Sequence, residues 1–404
     1  MNIKKIESEY IMQTYKRNDL VIKKSKDQFL WDENGKRYLD FFSGISVCNV
    51  GHCNKLVVDA VKNQINNFIH ISNLYYGSPQ IILAKKLVSR TFEKGKVFFS
   101  NSGAEANECA IKLARKWGFL NSSKICNKYE IVCFNNSFHG RTLATISATG
   151  QEKFHKYLMP LQEKFVFAKF NDINSVKKLI NDKTVAVMIE PIQGEGGIFP
   201  SDKMFLKALR KLCDDKNILL IFDEIQCGVG RTGKFYAFEN YDVKPDIVTL
   251  AKSLANGLPL GATIANKKCA YAFEYGDHGS TFGGNPVSCA ASLEVLKIVN
   301  SEFLNNSLKV AKYLYVRLEE LKEKFSIIKC IRGIGLMVGV DLMINGRDIV
   351  TCCMNNGLII NCTSDTVLRL LPPLIIKESD VDFAIKILEE SLEYQTKNYT
   401  KKYI

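Results

Sequence analysis

Ile218-Leu219-Leu220-Ile221-Phe222, followed directly by Asp223, is the stretch on which the fold turns. Five apolar residues in a row, without helical spacing, read as a strand buried on both faces. Such a strand needs a sheet with helices packed on either side. Similar apolar runs stand at 97–100, 131–134, 185–189, 247–250 and 262–265, with helical patterns at 104–117 and 204–214 between them. This alternation predicts an α/β fold with a mostly parallel sheet covered by helices. Ligands of such sheets gather beyond the carboxyl ends of the strands. Asp223 stands at one such end and Lys252 just after the run 247–250, so both are candidates for chemistry.

Outward from this centre the pattern changes. Near the N-terminus, Phe29-Leu30-Trp31-Asp32-Glu33-Asn34-Gly35-Lys36-Arg37-Tyr38-Leu39 reads as a hairpin with Asn-Gly at its turn. Residues 56–68 read as an amphipathic helix with Val57, Val61, Ile65 and Phe68 on one face. Beyond about residue 293 the chain turns helical, then hairpin-like, then helical again, and Val381, Ile385, Leu388 and Leu392 form the stripe of the last helix. The expected division is an N-terminal segment 1–52, a large cofactor-binding domain 53–292 and a small α+β C-terminal domain 293–404.

Composition excludes little else. A net charge of +13 fits either nucleic-acid binding or a solvated basic surface; the lysines are scattered and no basic block is interleaved with aromatics, which favours the surface. The 13 cysteines include no C-x-x-C pair, and neither Cys352-Cys353 nor Cys48 with Cys53 has zinc-site spacing, so reduced thiols and no metal are expected. No apolar run approaches the roughly 18 residues of a membrane span, and the first residues carry no secretory h-region. A cytoplasmic protein without membrane or nucleic-acid partners is the expectation.

Four features carry chemistry. In Phe98-Phe99-Ser100-Asn101-Ser102-Gly103-Ala104-Glu105-Ala106-Asn107 a strand runs through small residues into a helix, which presents free N–H groups to a phosphate. It lacks both the dinucleotide fingerprint and the Walker lysine. Asp223 can pair with a protonated pyridine nitrogen; its structural alternative is a helix cap or an ion pair. Lys252, desolvated after a strand, can be a nucleophile toward an aldehyde; the alternative is a surface lysine. In Phe138-His139-Gly140-Arg141-Thr142 the ring can stack on a cofactor and the arginine can hold a carboxylate; a core Phe beside a surface Arg is the alternative.

Read as a whole, Asp223-Glu224-Ile225-Gln226-Cys227-Gly228-Val229-Gly230-Arg231-Thr232-Gly233 with Pro245-Asp246-Ile247-Val248-Thr249-Leu250-Ala251-Lys252 resembles the signature of the class III (ω-amino) aminotransferases. Ile189-Glu190-Pro191-Ile192-Gln193-Gly194-Glu195-Gly196-Gly197 and Ser280-Thr281-Phe282-Gly283-Gly284-Asn285-Pro286 are similar to the same family, and the resemblance runs from about residue 28 to about 375. It implies the fold-type I architecture, pyridoxal 5'-phosphate as cofactor, and a homodimer with active sites between subunits. It also implies roles: Lys252 binds the cofactor covalently and shuttles the proton, Asp223 holds the pyridine nitrogen, Gln226 the phenolic oxygen and Phe138 the ring face. Ser102, Gly103 and Ala104 would hold the phosphate, with Thr281 from the other subunit. Arg141, Glu195, Arg369 and Ser280 would serve the substrate, Arg141 binding its distal carboxylate and Glu195–Arg369 acting as a gate between two substrates. Asn54 and Asp19 depart from the family's pattern, both in loops.

The expected reaction moves a terminal amino group to 2-oxoglutarate. N-acetylornithine is the expected donor, in arginine biosynthesis; ornithine, 4-aminobutyrate and N-succinyl-diaminopimelate remain open, as does an aminomutase of glutamate semialdehyde on the same fold. Ile45 stands where members acting on free ornithine carry tyrosine, and Ser72-Asn73-Leu74-Tyr75-Tyr76 is similar to members acting on the acetylated donor. A non-catalytic binding protein on the same scaffold is the reading from another class. The joint presence of Lys252, Asp223, Gln226 and Arg141 speaks against it.

Overall fold

The computed structural model describes residues 3–122 and 128–403. Its centre is a seven-stranded sheet in the order Gly95–Ser100, Gly261–Asn266, Ile247–Leu250, Leu219–Asp223, Thr184–Ile189, Glu130–Phe134, Phe165–Ala168. Only Gly261–Asn266 runs against the others, pairing antiparallel with both neighbours. The strand Leu219–Asp223 shows why two helical layers are needed. Leu219 and Ile221 point into a cluster with Ala110, Ala114 and Trp117 of the helix Gly103–Leu120. Leu220 and Phe222 point the other way, into a cluster with Leu206, Leu209 and Cys213 of the helix Lys203–Asp215. Period-two alternation with apolar residues at every position therefore buries both faces.

All six expected strands form, with ends shifted by a residue or two. The seventh, Phe165–Ala168, was not foreseen: it lies at the sheet edge, is only partly buried, and is flanked by Lys164 and Lys169.

The hairpin forms between Phe29–Asp32 and Arg37–Asp40, but its turn is longer than Asn-Gly alone. Asp32 Oδ1 accepts from the N–H groups of Asn34 and Lys36 at 2.9 and 2.8 Å, and Gly35 alone takes a left-handed φ of 81°. Ile22–Lys26 and Leu358–Ile359 extend this hairpin to four strands. The helix Lys55–Asn67 begins at Asn54, whose side chain accepts from Leu56 N at 3.1 Å, so this departure from the family's pattern acts as a cap. Its packing face differs from expectation. Ile65 is 45% exposed, and Gln64 is buried in its stead, donating to Phe68 O at 2.8 Å.

Toward the C-terminus the helix Ser301–Lys324 and the hairpin Ile328–Ile334/Met337–Leu342 are followed by Asn361–Thr363 and Val367–Leu370, which complete a four-stranded antiparallel sheet. The helix Glu378–Tyr403 buries Val381, Ile385, Leu388 and Leu392 on it, as expected. Leu39 and Phe41 join the same cluster, and Leu371 N donates to Phe41 O at 2.7 Å. The start of the chain is thus stitched to its end beside the central sheet.

Candidate active site

Five parallel strands end on one cavity of about 550 Å³. The turn 101–104 follows Gly95–Ser100, the segment 138–141 follows Glu130–Phe134, and Glu190 follows Thr184–Ile189. Asp223, Ile225 and Gln226 come from the end of Leu219–Asp223, and Lys252 from the end of Ile247–Leu250. Carboxyl ends of parallel strands are where the backbone leaves room for a ligand.

Asp223 is 4% exposed and rigidly oriented. Its Oδ2 accepts from Asn107 Nδ2 at 2.7 Å and from the His139 ring Nδ1 at 2.8 Å; its Oδ1 accepts from Ile225 N at 3.0 Å. Asn107 is itself fixed, donating to His139 O at 2.7 Å and accepting from Thr249 Oγ1 at 2.8 Å. Burial disfavours a charged His139, yet the Asp223 carboxylate outweighs it and raises the imidazole pKa. Asn107 and His139 both stand in the motifs that carry chemistry, yet neither is expected there to have a role. The signal was present: an asparagine is a poor choice inside a helix unless its side chain has a task.

Lys252 sits in a left-handed conformation, φ 47°, directly after its strand. Among the described residues its Nζ makes no hydrogen bond or ion pair. Burial lowers the pKa of this amine; the Glu195 charge opposes that, and Arg369 adds to it. A buried amine whose charged form is disfavoured, and which makes no hydrogen bond among the described residues, is placed to act as a nucleophile. Across the cavity the helix Gly103–Leu120 begins. Its Gly103 and Ala104 amides belong to the first turn, where the helix offers no acceptor. A Cβ at Gly103 would lie 2.8 Å from Ile225, so only glycine fits there. An unpaired amine, a fixed carboxylate and a helix start with free N–H groups match the aldehyde, the pyridine nitrogen and the phosphate of pyridoxal phosphate respectively. The residues present fit that group.

Phe138 lies on the cavity wall, its ring 5.4 Å from that of Phe154. Arg141 is exposed at the cavity, with its guanidinium 4.6 Å from the Phe154 ring centre and 5.8 Å from that of Phe138. Glu190 accepts from Phe138 N and Gly194 N at 3.0 and 3.2 Å, and burial pushes its carboxyl above the usual range.

The Glu195 carboxylate meets Arg369 Nη1 at 2.5 Å. Burial alone would raise the Glu195 carboxyl, but Arg369 outweighs it and holds it at about 2. Gln226 touches both partners: Nε2 donates to Glu195 Oε1 and Oε1 accepts from Arg369 Nη1, each at 3.3 Å. A Cβ on Gly194 would meet that amide oxygen at 2.2 Å, which explains the glycine before Glu195.

Ser280 and Thr281 stand apart from this cavity within one chain. Ser280 Oγ accepts from Asn101 Nδ2 at 3.1 Å and from Gly283 N at 3.0 Å. Thr281 is exposed in a separate depression with His70, Asn73 and Phe282. Conversely, Tyr15 and Val47 line the cavity although sequence reading gave them no part. Val47 follows a left-handed turn, Ser43–Ser46, with φ of 45°, 67°, 66° and 61°. Three of its residues are not glycine, and each such conformation costs roughly 1–2 kcal/mol. Ile45 of this turn packs against the small cluster that holds Ile192, Cys227, Met337 and Leu371, and is not among the residues lining the cavity.

A mixed but mostly parallel sheet with a reactive amine and a carboxylate at its strand ends is the framework of an α/β transferase. The chain belongs to the class-III aminotransferase family: residues 10–392 match the family described as "Aminotransferase class-III". With the family comes the pyridoxal phosphate that the resemblance implied. An acetylornithine aminotransferase of Methanocaldococcus jannaschii is 50% identical over 388 residues, covering 95% of this chain and 96% of that one. Among solved structures, the ornithine aminotransferase of Toxoplasma gondii ME49 superposes with a TM-score of 0.92 at 31% identity, covering 98% of this chain and 95% of that one. The N-acetylornithine aminotransferase of Stenotrophomonas maltophilia K279a gives 0.84 at 33% identity, covering 98% and 99%.

Proposed function

We propose that this enzyme transfers the terminal amino group of N-acetylornithine to 2-oxoglutarate, giving N-acetylglutamate semialdehyde and glutamate, a step of arginine biosynthesis in the cytoplasm. The observation that carries the chemistry is the pairing, in one cavity, of the unpartnered Lys252 amine with the hydrogen-bonded Asp223 carboxylate. The 50% identical relative from M. jannaschii supports the choice of donor.

Bound there, pyridoxal phosphate supplies a cationic ring that takes up the electron pair released when a C–H bond beside nitrogen breaks. This chain's residues do the rest. Lys252 holds the cofactor and then carries the proton between the two carbons that exchange it. Asp223 keeps the pyridine nitrogen protonated, itself held by Asn107 and His139. Ser102, Gly103 and Ala104 take the phosphate, completed by Thr281 of a second copy of the chain in a homodimer. Phe138 and Gln226, both on the cavity wall, would pack on the ring and hold the phenolic oxygen respectively. Arg141 holds the carboxylate distal to the reacting amine. Arg369 binds the α-carboxylate of 2-oxoglutarate once Glu195 releases it, with Ser280, like Thr281, supplied by the second copy.

The donor assignment is tested by kcat/KM for N-acetylornithine, N-succinyl-diaminopimelate, ornithine and 4-aminobutyrate, following glutamate formation from 2-oxoglutarate. The acetylated donor should lead. A clear preference for free ornithine would overturn the donor and leave the aminotransferase reading standing.

A further inference from the structure

Arg231 is fully buried and none of the roles above uses it. A guanidinium has five N–H donors, and here all five are taken. Nε donates to Ser46 Oγ at 2.9 Å; Nη1 donates to Leu336 O at 3.0 Å and Pro372 O at 2.6 Å. Nη2 donates to Ser43 Oγ at 3.4 Å and to Asn49 Oδ1. Every acceptor is neutral, so this buried charge has no ion-pair partner among the described residues. Burial lowers its pKa to about 9, and the charge of Asp40, which makes no direct contact with it, only partly opposes this.

The acceptors come from three segments distant in sequence. Ser43 and Ser46 are the first and last residues of the left-handed turn, and Arg231 grips both. Ser43 Oγ in turn donates to Leu371 O at 2.7 Å, and Leu371 stands two residues beyond Arg369. The turn is flanked by residues that reach the site: the Arg369 guanidinium lies 6.0 Å from the Phe42 ring centre, and Val47 lines the cavity. A turn with three left-handed residues other than glycine relaxes unless something outside it holds it.

We propose that Arg231 is a positioning residue for substrate binding: its guanidinium fastens the turn Ser43–Ser46 to the segment that follows the strand of Arg369, at Pro372 O, and so sets where Phe42 stands against Arg369 and where Val47 stands in the cavity wall. This rests on the reading of Arg369 as the residue that receives the α-carboxylate of 2-oxoglutarate. Lysine at 231 keeps the charge but cannot span acceptors on three segments, because its donors sit on one atom.

The test compares Arg231→Lys, Ser46→Ala and their double variant, each purified as holoenzyme. Single-turnover rates at saturating substrate and KM are measured for each half-reaction. In Arg231→Lys and Ser46→Ala, KM for 2-oxoglutarate should rise about tenfold or more, while the saturated rate and the cofactor's visible spectrum stay near wild type. The double variant should fall well short of the product of the two singles, because both break one contact. Full multiplicativity, or variants that only melt earlier with unchanged KM, would overturn the proposal. Should Arg231→Lys fail to fold, Ser46→Ala decides alone, since it removes one acceptor and no charge. Glu195→Ala serves as the control. If it leaves the balance of the half-reactions untouched, the gate reading falls; if it shifts them and the Ser46 variant does not raise KM, only the role of Arg231 falls.

Discussion

Glu195 and Arg369 form a 2.5 Å ion pair in which the arginine is 1% exposed and the side-chain amide of Gln226 bridges the two. A buried guanidinium must have a negative partner or strong acceptors. An incoming carboxylate can replace Glu195 without leaving Arg369 alone. Glu195→Ala should therefore change the two half-reactions unequally. Reaction of the cofactor form with glutamate should gain relative to reaction with the ω-amino donor, by about tenfold. Stopped-flow rates of each half-reaction check this, and equal falls in both would reduce Glu195 to a loop support.

The same pair predicts a pH dependence of stability. The folded-state pKa of Glu195, about 2, lies below its ordinary 4.5. Its contribution is then complete above about 4.5 and is lost as pH falls through about 2. The stability difference between wild type and Glu195→Gln should stay level from neutral pH down to about 4.5 and shrink below it. Urea midpoints measured across that window read it directly.

Lys252→Ala should remove nearly all turnover, because the amine is both nucleophile and proton carrier and, among the described residues, no other lysine lines the cavity. Borohydride reduction of the wild-type holoenzyme followed by peptide mapping should place the label on Lys252. Label on another lysine would refute the assignment.

Asp223→Asn should fold normally and slow each half-reaction by two orders of magnitude or more, on the order of 3 kcal/mol in the barrier. The amide cannot hold a pyridinium proton by charge. Single-turnover rates decide, and near-normal rates would make this carboxylate merely structural.

Asn107→Ala would leave Thr249 Oγ1 without its acceptor and Asp223 Oδ2 with one donor fewer. The loss should cost about 1–3 kcal/mol of stability. Holoenzyme rates should fall less than in Asp223→Asn, since His139 still orients the carboxylate. Denaturant titration alongside turnover separates the two effects.

The parts of this molecule legible in the sequence are those where chemistry and burial coincide along the chain. Six strands of the central sheet showed because covering both faces leaves an unbroken apolar run. Phe165–Ala168 is just as apolar, and an edge position does not hide a strand, since Gly95–Ser100 at the other edge showed; it stands between Lys164 and Lys169, and no candidate for chemistry follows it. Asp223 and Lys252 stood out by ending such runs. Ile65 is expected on the packing face where Gln64 stands, because the burial of Gln64 depends on the carbonyl of Phe68, and hydropathy cannot see a satisfied amide. Tyr15 and Val47 reach the cavity only through the path of the N-terminal segment, which no local pattern encodes.

The one strand that runs against the rest also orders the making of the protein. Gly95–Ser100 has a single partner in the sheet, Gly261–Asn266, which leaves the ribosome roughly 160 residues later. The turn at 101–104 is therefore not anchored until most of the chain has been made. A nascent chain stopped before residue 261 should lack a seated phosphate cradle even with Glu130–Phe134, Thr184–Ile189 and Leu219–Asp223 already paired. Cofactor capture is in this way tied to the synthesis of a strand that lies well beyond the cradle in the chain.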